Sequence, residues 1–156
     1  MYLHCWSNRL ATLDVSNNTA LEDLWCFSNQ LSNLDVSNNT ALIQLICSYN
    51  RLINLDISKN SSMRWLQCQF NLLTNLDASN NTELVYLNCI FNDFTANALD
   101  NLFGTLPPNN ADSGRGKYIS IYDNPGTRDC NPSIATEKGW SVETTHVIGL
   151  ENKNQK

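Results

Sequence analysis

Apolar and polar positions return in the same order every 21 residues through the first part of the chain. LHCWSNRLATLDVSNNTAL begins at Leu3, LWCFSNQLSNLDVSNNTAL at Leu24 and LICSYNRLINLDISKNSSM at Leu45. Two further copies begin at Leu66 and Leu87. A fixed period of this length indicates a repeat architecture, because each short unit can bury its apolar side chains only against its neighbours.

The first half of each unit fits the pattern L-x-x-L-x-C-x-x-N-x-L, which predicts a short strand around the L-x-C step. Alternate side chains of a strand point to opposite faces, so Leu24 and Cys26 point inward. Their equivalents in the other units form columns in a parallel sheet with a strand spacing of about 4.8 Å. One asparagine per unit marks the turn after each strand, where its amide can both donate to and accept from the buried backbone: Asn8, Asn29, Asn50, Asn71 and Asn92.

The second half of each unit carries nearly the same apolar spacing, in the form L-x-x-L-D-x-S-x-N. Roughly ten residues remain for the return to the next strand, which is too few for a crossover helix with its turns. We therefore expect short extended segments and tight turns there. The sequence predicts a repeat solenoid of the leucine-rich repeat class, with a parallel β-sheet on one face.

This phrase resembles the 21-residue leucine-rich repeats of bacterial cell-surface proteins, notably those of Bacteroidetes. The resemblance covers residues 1–94, about four and a half units. It implies an extracellular or cell-surface location and a binding role, and it identifies no ligand.

Residues 95–142 break the repeat and predict a C-terminal α/β cap. Apolar residues at helical spacing predict a helix with Thr95 as its N-cap and Pro107 and Pro108 as its stop: Leu99, Leu102, Phe103 and Leu106. Terminal units of a solenoid must differ from the others because they cover the end of the apolar stack.

The rest of the cap is expected to hold a polar loop over 109–116 and one final strand with Ile119 and Ile121 inward. A short helix follows, with Pro132 in its first turn and Gly139 at its exit. Trp140 is expected to form a lid over the last strand. Residues 143–156 predict a polar tail or linker.

The chain begins inside a repeat, without a signal peptide, and is expected to be a piece of a longer protein. The strand at Leu3 would then leave an open sheet edge, through which copies of the chain could associate. No apolar run reaches the length of a transmembrane helix.

Five of the six cysteines recur at the inward strand position. A straight column does not converge as the ligands of a zinc ion must. Neighbouring cysteines could come within disulfide reach, but an odd number in a packed column leaves one thiol over. We expect reduced thiols that fill the core as small apolar groups.

Four aspartates form a column on the return side: Asp14, Asp35, Asp56 and Asp77. Stacked carboxylates are a candidate calcium site. The alternative is that each accepts hydrogen bonds from turn amides or serine hydroxyls, and the sequence favours it. Four asparagines begin N-x-S/T sequons, which we interpret as turn residues rather than glycan sites: Asn17, Asn38, Asn60 and Asn80.

A formal net charge of −5 argues against a nucleic-acid partner, since phosphate binding needs a basic surface. The two histidines, His4 and His146, lie in no nucleophile or metal motif, and no glycine-rich phosphate loop is present. We expect neither catalysis nor a cofactor.

Two functions remain: a binding module that presents its sheet to a protein or glycan, and a structural spacer in a larger surface protein. The outward positions favour the first, because they gather aromatic residues, which dominate interface energetics. They run through Tyr2, His4, Trp6, Asp23, Trp25, Phe27, Gln44, Ile46, Ser48, Trp65, Gln67, Gln69, Tyr86, Asn88, Ile90, Tyr118, Ser120 and Tyr122. The predicted ligand-binding residues are Tyr2, Trp6, Trp25, Phe27, Trp65, Gln67, Tyr86, Asn88, Tyr118 and Tyr122.

Overall fold

Seven short strands form one parallel sheet in chain order within residues 1–109 and 116–145, which the computed structural model describes. Five of them belong to the repeats: β1 (Tyr2–His4), β2 (Asp23–Trp25), β3 (Gln44–Ile46), β4 (Trp65–Gln67) and β5 (Tyr86–Asn88). Equivalent positions of successive units pair, so that Leu3 lies beside Leu24 and Leu24 beside Leu45. The predicted repeat solenoid with a parallel sheet on one face is confirmed.

The core lies between the strands and the returning segments. Its strand side consists of the inward leucine and cysteine columns, which are fully buried from β2 to β5. Its return side includes the column Val15, Val36, Ile57 and Ala78, which belongs to the same apolar cluster. The return segments contain turns and no helix, as the sequence predicted: the N–H of Asn39 donates to the carbonyl of Val36, and that of Leu42 to the carbonyl of Asn39, both at 3.0 Å.

From the second repeat onward, the asparagine after each strand joins two units. The Nδ2 atom of Asn50 donates to the carbonyl of Cys26 at 3.0 Å and to that of Cys47 at 3.1 Å. Its Oδ1 atom accepts from the N–H of Leu31 at 3.0 Å. The same arrangement recurs at Asn29, Asn71, Asn92 and, in the cap, Asn124. The predicted structural role of this column is therefore confirmed.

The cap begins with α1 (Ala96–Thr105), which buries Leu99, Leu102 and Phe103 against the last repeat. Its predicted N-cap is confirmed, because the Thr95 hydroxyl accepts from the N–H of Ala98 at 3.2 Å. Strand β6 (Lys117–Ser120) and helix α2 (Ser133–Thr136) follow. No helix in the described part of the chain is long and apolar enough to cross a membrane.

A seventh strand, β7 (Trp140–Glu143), extends the sheet beyond the one closing strand that the sequence predicted. Trp140 is therefore not a lid over the last strand but the first residue of a further strand, and its buried indole N–H donates to the carbonyl of Pro107 at 2.8 Å. Gly139, with a φ of +81°, reverses the chain between α2 and β7. Of the predicted polar tail and loop, residues 146–156 and 110–115 lie outside the described residues.

Candidate functional site

The ten predicted binding residues lie on the outward side of the sheet, where the pairing register arranges them in three columns. Tyr2, Trp65, Tyr86 and Tyr118 belong to the first column, and Trp25, Gln67 and Asn88 to the second. Trp6, Phe27 and Tyr122 belong to the third, just beyond the strand ends. The parallel register thus brings these residues onto one face.

The face is less open than the alternation of side chains predicted. Tyr2 and Trp6, at the first strand, are 68% and 48% exposed, whereas the other eight predicted residues are half-buried. Three positions expected to be outward are buried: Ser48, Ile90 and Ser120. Ser48 and Ile90 lie past the ends of β3 and β5, where the backbone has begun to turn, and Ser120 lies on β6 between Asn88 of β5 and Glu143 of β7.

Rings on neighbouring strands stack against one another. His4 and Trp25 have ring centroids 4.1 Å apart, Trp6 and Phe27 5.4 Å, and Tyr86 and Tyr118 6.1 Å, with interplanar angles of 14°, 3° and 11°. The guanidinium of Arg64 lies over the ring of Trp65 at 5.2 Å. One face of each of these rings is therefore covered by a neighbour.

Two tyrosines of the face have raised pKa values, and one tryptophan of the face has an N–H group that is unpartnered in the described part of the chain. Burial, followed by a hydrogen bond to Glu143, raises the pKa of Tyr118. Burial and the charges of Glu143 and Asp123 raise the pKa of Tyr122. The buried indole N–H of Trp25 has no hydrogen-bond partner among the described residues.

A further aromatic column lies one residue beyond the third column, and the sequence analysis missed it. Tyr49 and Phe70 stack with ring centroids 4.3 Å apart, and Phe70 and Phe91 with centroids 4.4 Å apart. The signal was present, since these three residues keep the 21-residue spacing. It was missed because side-chain alternation was extended past the end of each strand, where the backbone already turns.

The six cysteines are free thiols. Burial raises the pKa of Cys26 and Cys89 to about 12, and it raises that of Cys47 and Cys68 well above the ordinary range. These four thiols are therefore protonated near neutral pH, and the prediction of unpaired core cysteines is confirmed for them. Cys5 and Cys130 are only half-buried.

Each aspartate of the return-side column accepts a hydrogen bond from the backbone N–H two residues later, at 2.8–2.9 Å. Hydrogen bonds from the following serine lower the pKa of Asp14, Asp35 and Asp56. The predicted turn role is confirmed. No group of histidine, cysteine or acidic side chains in the described residues could hold a metal ion.

The sequon asparagines fall into two environments. Asn38 and Asn80 are exposed, and each donates to a serine carbonyl of an earlier turn. Asn60 is fully buried and donates to the carbonyls of Val36 and Asn39 at 3.0 and 2.9 Å. It belongs instead to a second asparagine column with Asn39 and Asn81, which the sequence analysis did not single out.

Comparison with known proteins identifies the class of this fold. No protein-family model and no curated protein sequence matches the chain. A leucine-rich repeat protein of Leptospira interrogans has a similar structure, with a TM-score of 0.71 at 19% identity over 92% of this chain and 36% of that one. The fold is a leucine-rich repeat solenoid.

Two Listeria monocytogenes proteins are also similar. The internalin InlF matches with a TM-score of 0.58 at 19% identity, over 85% of this chain and 43% of that one. The functional domain of InlJ, described as including a cysteine ladder, shares 27% identity over 87% of this chain and 37% of that one. Its TM-score of 0.48 is too low to establish a shared fold. The chain spans less than half the length of each of these three structures.

Proposed function

We propose that this leucine-rich repeat chain is a non-catalytic module that binds a protein partner through the outward face of its sheet. Leucine-rich repeats stack into extended surfaces that serve as binding faces. The observation that carries the proposal is the gathering of aromatic side chains in three columns on that face, since aromatic residues supply rigid contact area at interfaces.

The stacking geometry favours a protein over a glycan. The C–H groups of a sugar carry partial positive charge and pack against the negative face of an aromatic ring. Here the faces of Trp25, Phe27 and Tyr86 are partly covered by stacked neighbours. The parts of these half-buried rings that stay accessible suit the aliphatic side chains and carbonyl groups of a protein surface, and Gln67 and Asn88 supply hydrogen-bonding groups on the same face.

The spacer function has its own supporting observation. Rings that cover one another need no ligand to protect them, and most of the predicted residues are half-buried. The bacterial surface location and the origin of the repeat in Bacteroidetes-type proteins also belong to the proposal, because they rest on the resemblance of the repeat phrase. The division of the chain into repeats (1–94), cap (95–142) and tail (143–156) is likewise part of the proposal.

A crosslinking experiment tests the proposal. A photo-reactive phenylalanine replaces Trp65 on the sheet face or Asn54 on the exposed return side, and each protein is incubated with bacterial and host surface-protein fractions. We expect crosslinks to a defined protein from position 65 and none from position 54. Binding of the identified partner to Trp65→Ala should then weaken by about 2 kcal/mol.

Matched measurements separate the alternatives. Asn54→Ala should bind normally, and the melting temperature of Trp65→Ala should stay near that of the wild type. Equal crosslinking from both positions, or normal binding by Trp65→Ala, would favour the spacer function. Binding that is found only on a glycan array would mean that the sheet face is the binding site but that its partner is a glycan and not a protein.

A further inference from the structure

A strip of mostly exposed apolar side chains follows the C-terminal ends of strands β3 to β5, beside the sheet face. We call it the turn ridge, and it consists of Tyr49, Ile53, Phe70, Leu72 and Phe91. Four of its members rank among the most exposed large apolar residues of the described chain: Tyr49 at 50%, Ile53 at 56%, Leu72 at 47% and Phe91 at 39%. The stacked rings of Tyr49, Phe70 and Phe91 make part of this strip contiguous, and contiguous exposed apolar surface marks interaction sites.

The backbone of the ridge adopts a conformation that large side chains avoid. Tyr49, Phe70 and Phe91 have φ values of 53°, 55° and 49°, in the left-handed region. The same repeat position carries the small Ser7 and Ser28 in the first two units. Holding a large non-glycine residue there strains the backbone. The two ring stacks leave much of the surface of Tyr49 and Phe91 exposed, so stacking within the chain does not bury the ridge.

The ridge carries charge of opposite sign at its two ends. The same position of three successive units is occupied by Arg51, Leu72 and Asp93. The N–H of each donates to the equivalent carbonyl of the preceding unit. Arg51 and Asp93 are both exposed and flank the central Leu72. Within residues 1–109 and 116–145, neither makes an ion pair.

We propose that the turn ridge is a self-association surface that pairs with the ridge of a second copy of this chain. A two-fold axis through the neighbourhood of Leu72 reverses the order of the units. It therefore sets Arg51 of each copy opposite Asp93 of the other, and Tyr49 opposite Phe91, while Leu72 meets its own equivalent. An isologous contact requires this self-complementarity, and the charge order basic, apolar, acidic fulfils it.

This surface borders the proposed binding face at Phe91, whose ring makes an edge contact with that of Tyr122 at a centroid distance of 6.1 Å. It does not include the first column of that face, in which Trp65 lies, or the open edge at β1. The sheet-face residues lie on the strands or, in the third column, immediately after them, whereas the ridge follows in the turns beyond. Ridge pairing leaves β1 unpaired on its outer side, so it differs from edge-to-edge association through Tyr2–His4.

Reciprocal charge exchange tests the pairing. The association constant of the chain is measured by sedimentation equilibrium for the wild type, Arg51→Asp, Asp93→Arg and the double variant. We expect a wild-type dimer, and association weakened at least about tenfold in each single variant, because each creates two like-charge contacts. The double variant should recover the wild-type association constant to within about threefold, because both ion pairs re-form with reversed sign.

Controls make the outcome decisive. Arg9→Asp makes the same charge change at the same repeat position, two units before Arg51, and should leave association unchanged. Leu72→Glu should abolish the dimer and keep the wild-type melting temperature. The proposal is overturned if the wild type stays monomeric at about 1 mM, if the double variant does not recover, or if only Tyr2→Ser and Trp6→Ser dissociate the dimer. The crosslinking at position 65 is independent of all these results.

Discussion

At the residue scale, the asparagine after each strand from β2 to β6 satisfies backbone groups that belong to two units. Asn71 donates to the carbonyls of Cys47 and Cys68 at 3.0 and 3.1 Å and accepts from the N–H of Leu52 at 3.0 Å. All of these groups are shielded from water in the folded chain. One side-chain amide thus closes a turn and joins it to the preceding turn.

Replacement of Asn71 by alanine should therefore be costly. It leaves the buried N–H of Leu52 without a partner. The carbonyls of Cys47 and Cys68 each lose one hydrogen bond but keep those from Asn50 and Asn92. We expect the free energy of unfolding to fall by at least about 2 kcal/mol, because an unpaired buried group costs about 1–3 kcal/mol and each lost hydrogen bond about 0.5–1.5 kcal/mol, as measured by urea denaturation. Asn8→Ala is the matched control, because Asn8 is exposed and bonds to the carbonyls of Cys5 and Trp6 in its own turn. Equal losses in both variants would contradict the bridging role.

The same scale shows where the sequence was informative and where it was not. The role of Asn71 could be predicted, because amide chemistry and a fixed period constrain it. The burial of Ser48 and the ring stack of Tyr49 could not be predicted from side-chain alternation, which holds only for the three residues of β3. Past Ile46 the backbone turns, and Tyr49 has a left-handed φ that no period-two rule anticipates.

At the element scale, local signals predicted α1 and missed β7. The N-cap at Thr95 and the apolar spacing through Phe103 are encoded within a few residues, so the helix could be placed from sequence. Strand β7 has no such internal pattern. It forms because residues 140–143 pair with β6, a contact that depends on how α2 and Gly139 bring the chain back.

Gly126 is the position where α1 meets the turn after β6. A Cβ atom there would lie 2.0 Å from the backbone nitrogen of Ala96 and 2.1 Å from the carbonyl carbon of Thr95. We expect Gly126→Ala to lower the free energy of unfolding by about 3 kcal/mol, because the start of the helix must move.

Gly104, within α1, is the control for Gly126. No atom lies within 4 Å of the position of its Cβ, so Gly104→Ala should raise stability by about 0.5–1 kcal/mol. Urea denaturation of both variants measures the two effects. A neutral Gly126→Ala would mean that the helix start is not fixed by this contact.

At the scale of the whole molecule, the cysteine column makes the free energy of unfolding decrease at alkaline pH. The folded chain holds the pKa of Cys26 and Cys89 at about 12, and those of Cys47 and Cys68 are also raised. The unfolded chain releases these protons near the ordinary value of 9.0. From pH 9 upward the unfolded state therefore binds fewer protons than the folded state, and stability falls as pH rises towards 12.

Each buried thiol can remove up to about 1.4 kcal/mol of unfolding free energy per pH unit in this range. Urea denaturation under reducing conditions between pH 7 and pH 11 should show the decline. Cys47→Ala should be less stable than the wild type at pH 8, because it leaves a cavity. Its decline above pH 9 should be shallower, and parallel curves would show that Cys47 does not contribute to it.

The asparagine bonds have a consequence for how such a protein can change in length. Each amide reaches back by one unit, as from Asn50 to Cys26, and the equivalent groups recur 21 residues later. Removal or duplication of one whole unit within the uniform part of the array would give every junction the same kind of neighbour as before. Recombination between copies of the encoding segment could therefore lengthen or shorten the module in steps of 21 residues, and each product would inherit a complete set of junctions.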